Sequence, residues 1–200
     1  MKLKLFSAFE LGFAAGMAAL TAVLWAGGAL HRPAAAEEAV PCVTIPSSAT
    51  GPSTQPGAAL SMPIAGIDPA TLKNTFNEIH GGHPHEALDI MAPRGTPVLA
   101  VDHGKIVKLF TSKLGGLTIY QFNDAQTLCY YYAHLDHYAA SLEEGQTVHR
   151  GDVIGYVGST GNASPQAPHL HFAVMELGPE RQWWKGTAID PLPLLQHGRR

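Results

Sequence analysis

His169-Leu170-His171-Phe172-Ala173-Val174 is the stretch on which the reading of this chain turns. In an extended strand successive side chains point to opposite faces. His169 and His171 then share one face, while Leu170 and Phe172 share the other. A convergent polar face backed by an apolar one is the alternation of a half-buried strand. Two histidines buried there without partners would cost about 1–3 kcal/mol each. A bound metal ion removes that cost.

Upstream, His85-Glu86-Ala87-Leu88-Asp89 has a matching property. If it too is extended, His85 and Asp89 lie on one face. Two imidazoles and a carboxylate aimed at one point suit a three-ligand zinc site whose fourth position is left for water, which is the catalytic arrangement. Spacing alone does not decide which of His169 and His171 is the ligand. The sequence holds 11 histidines, so some close pairs arise by chance. A lone histidine is more often a surface or core residue, and His80, His83, His103, His137 and His149 are read as exposed loop residues. His83 has the spacing to share a face with His85.

Around these motifs the pattern is one of short strands. Val98 to Val101, Lys105 to Leu109, Leu117 to Phe122, Cys129 to Ala133 and Val153 to Val157 are separated by Gly or Asn-Asp turns. Spacing of roughly ten residues is the mark of an antiparallel β-sandwich or barrel. With 21 glycines, 15 prolines and no long helical pattern, an all-β domain is expected rather than a parallel βαβ fold. Asp68-Pro69-Ala70-Thr71 has the form of a helix start, with Asp68 as N-cap and Pro69 in the first turn, and predicts a short helix to about Asn77.

A net charge of −3 with 14% charged residues leaves no basic surface for nucleic acid. Lys2 and Lys4 precede an uncharged run from Leu11 to Leu30, followed by Ala34-Ala35-Ala36. That is an export signal over residues 1–36. The run 11–30 is long enough to span a bilayer, so a cleaved signal and a retained membrane anchor both stay open. Location in the periplasm or cell envelope is expected, with inner-membrane anchoring as one form of it. Residues 37–60, rich in Ser, Pro and Gly, read as a linker, and 61–197 as the functional domain. Two cysteines, Cys42 and Cys129, allow one bridge or a buried free thiol.

A further element is Tyr132-Ala133-His134-Leu135-Asp136, with His134 at the end of an aromatic strand. Taken together, His85 to Asp89, Ile90 to Val98, Tyr132 to Leu135, Glu144 to Gly155, Gly158-Ser159-Thr160-Gly161 and Pro168 to Phe172 resemble, in order, the lysostaphin and LytM-type zinc endopeptidases of peptidoglycan. The resemblance is strongest over residues 80–177.

That resemblance implies a small antiparallel β-sandwich with a groove over the sheet, of the duplicated hybrid motif kind, preceded here by an N-terminal hydrophobic helix. It implies one zinc ion per chain on His85, Asp89 and His171, and His134 and His169 as the catalytic pair. Peptidoglycan peptides would be the substrate and a monomer the expected state. Gly95, Gly151, Gly155 and Gly158 fit its tight turns. Ala87 stands where the family usually has glycine. Residues 162–168 are longer than usual, with Ala167 at a common glycine position, and are expected on the groove rim. Asp136 is read as a turn acid that could also orient a histidine. The rival readings are a non-catalytic wall-binding or hydrolase-activating scaffold of the same fold, and a lipoyl-like carrier. The scaffold would be expected to have lost ligands, and the carrier needs an exposed lysine at a hairpin tip, which is not evident here.

Overall fold

The computed structural model describes residues 59–197. The leader 1–36, Cys42 and nearly all of the linker lie outside the described residues. Among the described residues no helix is long and apolar enough to cross a membrane.

A 3-10 turn at Pro69–Thr71 opens the domain, followed by β1 (Ile79–His80), β2 (His83–Pro84), β3 (Leu88–Met91), β4 (Pro97–Leu99), β5 (Gly104–Ser112) and β6 (Gly116–Asn123). Then come β7 (Leu128–Tyr138), β8 (Thr147–Val148), β9 (Val153–Val157), β10 (His169–Leu177), β11 (Gly186–Ile189) and a terminal helix α1 (Pro191–His197). All the strand pairs are antiparallel. Nine strands form one sheet with a backbone order β11-β10-β7-β6-β5-β8, while β3 branches from β10 and the β4–β9 pair from β7. The all-β antiparallel expectation therefore holds. The β1–β2 hairpin stands apart as its own two-stranded unit.

The core follows from the alternation. Leu170 and Phe172 of β10, Leu88 and Ile90 of β3, and Tyr130 and Tyr132 of β7 are all fully buried on one face. Burying each aliphatic or phenyl side chain contributes about 1.5–3 kcal/mol. The tyrosine hydroxyls keep partners in the core: Tyr132 donates to Gln121 Oε1 at 2.8 Å and Tyr130 to Asp102 Oδ2 at 3.0 Å. Helix α1 seals one end with Leu192 and Leu195, and the Leu60 N–H donates to the Leu194 carbonyl at 3.1 Å.

Three sequence expectations change. The helix predicted to Asn77 stops after the single 3-10 turn, although Asp68 does cap it by accepting from the Ala70 N–H at 2.8 Å. Beyond it the chain must bend back to hold the first motif, and Asn74 makes that bend by accepting from the Phe76 N–H at 2.9 Å. Secondly, β7 does not end before His134 but runs through it to Tyr138. Thirdly, the expected turn glycines divide into two kinds. Gly95 and Gly151 have positive φ, at 82° and 91°, whereas Gly158 is needed for space, since a Cβ there would sit 2.4 Å from the Asp136 nitrogen. Cys129 is buried as a free thiol, and burial pushes its pKa up to about 12.

Candidate active site

Strand register builds half of the site. His171 lies opposite Asp89 on one side and opposite Ala133 on the other. Directly opposed residues hold their Cβ atoms about 4.5–5.5 Å apart, so Asp89 and His171 meet without any loop. The His171 Nδ1 is 3.0 Å from Asp89 Oδ1. His169, two residues earlier on the same face, brings its Nε2 to 3.9 Å from the same oxygen.

His85 arrives differently. The expectation that His85 and Asp89 share one strand face is wrong, because β3 begins only at Leu88 and Glu86 adopts φ +55° between them. The kink is held by the His85 N–H donating to the Glu78 carbonyl at 2.8 Å and the Glu86 N–H to the Phe76 carbonyl at 2.9 Å. His85 nevertheless reaches the same point: its Nε2 is 3.2 Å from Asp89 Oδ1 and 3.1 Å from His171 Nδ1. Its other nitrogen, Nδ1, lies 3.1 Å from the Thr75 carbonyl. A carbonyl only accepts, so Nδ1 carries the proton and Nε2 presents a lone pair.

Asp89 Oδ1, His85 Nε2 and His171 Nδ1 thus form a triangle with sides of 3.0, 3.1 and 3.2 Å. Ligand atoms about 2.0–2.1 Å from a tetrahedral zinc lie roughly 3.3 Å apart. The donor set and its spacing fit that ion. Burial opposes ionisation of Asp89, but the His171 hydrogen bond and the nearby His171, His85 and His169 outweigh it, so its pKa falls below the usual carboxylate value. Burial is also the main reason that the His85 pKa is lowered.

His134 shows why β7 is irregular. Strict alternation would put it with Tyr130 and Tyr132 in the core. Instead the β6–β7 pairing slips between Leu117/Leu135 and Ile119/Tyr132, and His134 takes φ +59°. Such a bulge re-aims one side chain. The His134 ring turns to the groove, with centroids 4.9 Å from His169 and 5.5 Å from His171. Its Nδ1–H donates to the Thr160 carbonyl at 2.9 Å, and that of His169 donates to the Ala167 carbonyl at 2.9 Å. Each therefore offers Nε2 to the groove. Burial, chiefly, drops the His134 pKa to about 4.

A groove of about 320 Å³ lies over these residues, with His80, Pro84, Asn162, Ala163 and Ser164 completing its walls. Residues 162–164 are thus on the rim, as expected. His80, expected as a plain loop residue, is in the wall. A second depression of about 350 Å³, near Lys105 and Asp124, has no histidine or cysteine in its lining. His83, His103, His137 and His149 stay out of the groove lining. Asp136 is taken up by Arg94 at 2.6 Å and His137 at 3.0 Å, so it orients none of the groove histidines.

Thr75 is the residue that sequence reasoning missed. It is buried, its carbonyl holds His85, its hydroxyl donates to the Ala87 carbonyl at 3.1 Å and accepts from the Asp89 N–H at 3.0 Å. No spacing rule points to a lone threonine ten residues upstream of a ligand. Ala87 itself is fully buried and accommodated.

An antiparallel β groove with a His/His/Asp triangle and two further histidines defines a class of candidate metallopeptidase. Residues 83–191 match peptidase family M23, and the chain belongs to that family. It is 33% identical over 125 residues to an L-Ala--D-Glu endopeptidase of Bacillus subtilis, covering 60% of this chain and 37% of that protein. Lysostaphin of Staphylococcus simulans is 37% identical over 119 residues, 59% of this chain and 22% of its own length. The chain therefore spans well under half of these relatives. The solved structure of lysostaphin superposes with a TM-score of 0.54 at 32% identity, covering 64% of this chain and 50% of that one.

Proposed function

We propose that this chain is an exported, zinc-dependent endopeptidase that cleaves peptide bonds in the stems or cross-links of bacterial peptidoglycan. The observation that carries the reading is the triangle of Asp89, His85 and His171, with sides of 3.0–3.2 Å, set beside two more histidines in one groove. Export rests on Lys2, Lys4 and the apolar run 11–30. The substrate class rests on the endopeptidases to which the domain is similar.

His85, Asp89 and His171 would hold the ion. Zinc bound there supplies a Lewis acid that polarises a carbonyl and lowers the pKa of water toward neutrality. The rest is the work of this chain's own side chains. His134 and His169 have their Nδ1 protons tied to backbone carbonyls, so each ring is fixed in one tautomer and aims Nε2 into the groove. With a pKa near 4, His134 is neutral at pH 7 and can accept a proton at Nε2 or a hydrogen bond donated to it. His169 aims Nε2 at the same space, from which an imidazole can take up a proton and hand it on to the leaving amine. The rim at Asn162 to Ser164 bounds the groove across which the peptide would lie.

The test is peptide release from purified sacculi by the full chain, with zinc measured on the same preparations. His134→Ala and His169→Ala should keep zinc and lose about 10²–10⁴-fold in turnover. Zinc-replete variants working at the wild-type rate would overturn the mechanism. Tight binding to sacculi without any release by wild type would give the chain to the scaffold reading.

A further inference from the structure

The unexplained member of the groove is His80. It offers a ligand atom that lies within 4.8 Å of those of His85 and Asp89. Its ring lies against the His85 ring, with centroids 4.2 Å apart and planes tilted by 30°. In the structure its Nε2 is 3.3 Å from Glu78 Oε2, and Glu78 is also paired with Lys73. His80 therefore stands between two partners, the Glu78 carboxylate just before β1 and the His85–Asp89 side of the metal triangle.

The element that carries it is suited to move. The β1–β2 hairpin has only the pairs Ile79↔Pro84 and His80↔His83 and joins no other strand. Its turn, Gly81-Gly82, has φ +61° and +87°, the signature of a type I′ turn that closes a hairpin tightly. Ile79 is 65% exposed, so no core packing pins the first strand. An isolated two-stranded hairpin is marginally stable. By contrast, the far end of this segment is fixed, through Glu78 O and Phe76 O accepting from the amides of His85 and Glu86. A small rotation of the hairpin about that anchor would bring the His80 donor from within 4.8 Å to the roughly 3.3 Å separation of neighbouring tetrahedral ligands.

We infer that His80 is a fourth protein ligand, which the β1–β2 hairpin can deliver to the metal to close the centre and withdraw to Glu78 to open it. The inference rests on the zinc reading above. A closed four-ligand centre holds its ion more firmly and leaves no position for water. With His80 withdrawn, the three remaining ligands form the open centre that hydrolysis needs. Glu78 competes with the metal for the same imidazole, and so sets the balance between the two states.

The experiment uses the full zinc-loaded chain. Zinc affinity is read by competition with a chromophoric chelator, and the number of imidazole ligands by X-ray absorption. Wild type should show more than two imidazoles per zinc on average. His80→Ala should show two and lose zinc about 10-fold or more readily, while peptide release at saturating zinc stays equal or rises. Glu78→Gln, which frees His80, should shift the opposite way, with tighter zinc and slower release; it also keeps the test sound should His80→Ala fold poorly. Unchanged affinity and two imidazoles throughout would overturn the inference and leave the three-ligand zinc centre standing. A wild-type chain that takes up no zinc would overturn both.

Discussion

His171 and His85 meet at 3.1 Å, yet they are held there by different physics. His171 sits near the start of β10, locked between Asp89 and Ala133 by strand register, with fully buried Leu170 and Phe172 on the other face. Moving it one place would invert every side chain of that strand. His85 belongs to no strand. It is placed by one positive-φ residue, two backbone hydrogen bonds and the Thr75 carbonyl. The sheet half of the site is specified by the same burial that folds the domain. The loop half depends on a handful of local contacts, and neighbouring residues there, such as His80, have room to change partners.

The largest effect should come from removing ligands. His85→Ala, Asp89→Ala and His171→Ala should each abolish stoichiometric zinc, measured by elemental analysis of dialysed protein, with peptide release lost alongside. This outcome says that both halves are equally needed. Full zinc in Asp89→Ala would sink the metal assignment. Full zinc in His85→Ala but not in His171→Ala would show that the loop ligand is replaceable while the register-set one is not.

The same division explains what could be read from the sequence. Strand β9 is legible at Val153–Val157, as observed, and β10 through His169 to Val174, because period-two burial is written directly into residue order. The shared face of His169 and His171 follows from that periodicity, whereas the register that sets Asp89 opposite His171 is seen only in the fold. His85 was paired with Asp89 for a reason that does not hold, since Glu86 breaks the strand. His134 is legible only through the resemblance to a family motif; its turn to the groove comes from a bulge that no alternation rule would place. The helix forecast from Asp68 failed because a good cap cannot sustain a helix when the following residues are needed to hold His85. Strand β11 and helix α1 carry weak local signals and are fixed by docking onto β10 and the core.

A middle-sized effect concerns acid. In metal-free protein His134 has its pKa pushed down to about 4, mainly by burial, and that of His85 is lowered for the same first reason. In the unfolded chain both should titrate near 6.5. Between those values the unfolded state binds more protons, so stability rises with pH across the window and is lost as pH falls from about 6.5 toward 4. Between pH 7 and pH 4.5 His134 alone accounts for roughly 2 kcal/mol of that loss. Urea unfolding in excess chelator at pH 7 and pH 4.5 measures it. His134→Asn should flatten the slope more than His85→Asn, because the sheet-borne ring has the larger shift. Equal flattening would remove this difference between the two halves.

The smallest effect is the most selective. Thr75→Val keeps the shape of the side chain and the backbone carbonyl that accepts from His85 Nδ1. It deletes the hydroxyl that donates to the Ala87 carbonyl and accepts from the Asp89 N–H. A buried hydrogen-bond group left unpaired costs about 1–3 kcal/mol, so the midpoint in urea should fall with an unchanged slope. Loss of such outer support typically weakens a metal site about 10–100-fold. Because the hydroxyl ties the Thr75 segment to β3, the carbonyl under His85 should drift, while His171, His169 and His134 keep their register and bulge. Histidine NMR of the zinc-loaded variant should therefore show the His85 ring signals moved and those of the three sheet histidines nearly in place. If all four sets shift together, Thr75 supports the sheet as a whole and the two halves of the site are not independently built. If none shifts and zinc affinity holds, the backbone bonds from Glu78 and Phe76 alone suffice to place His85.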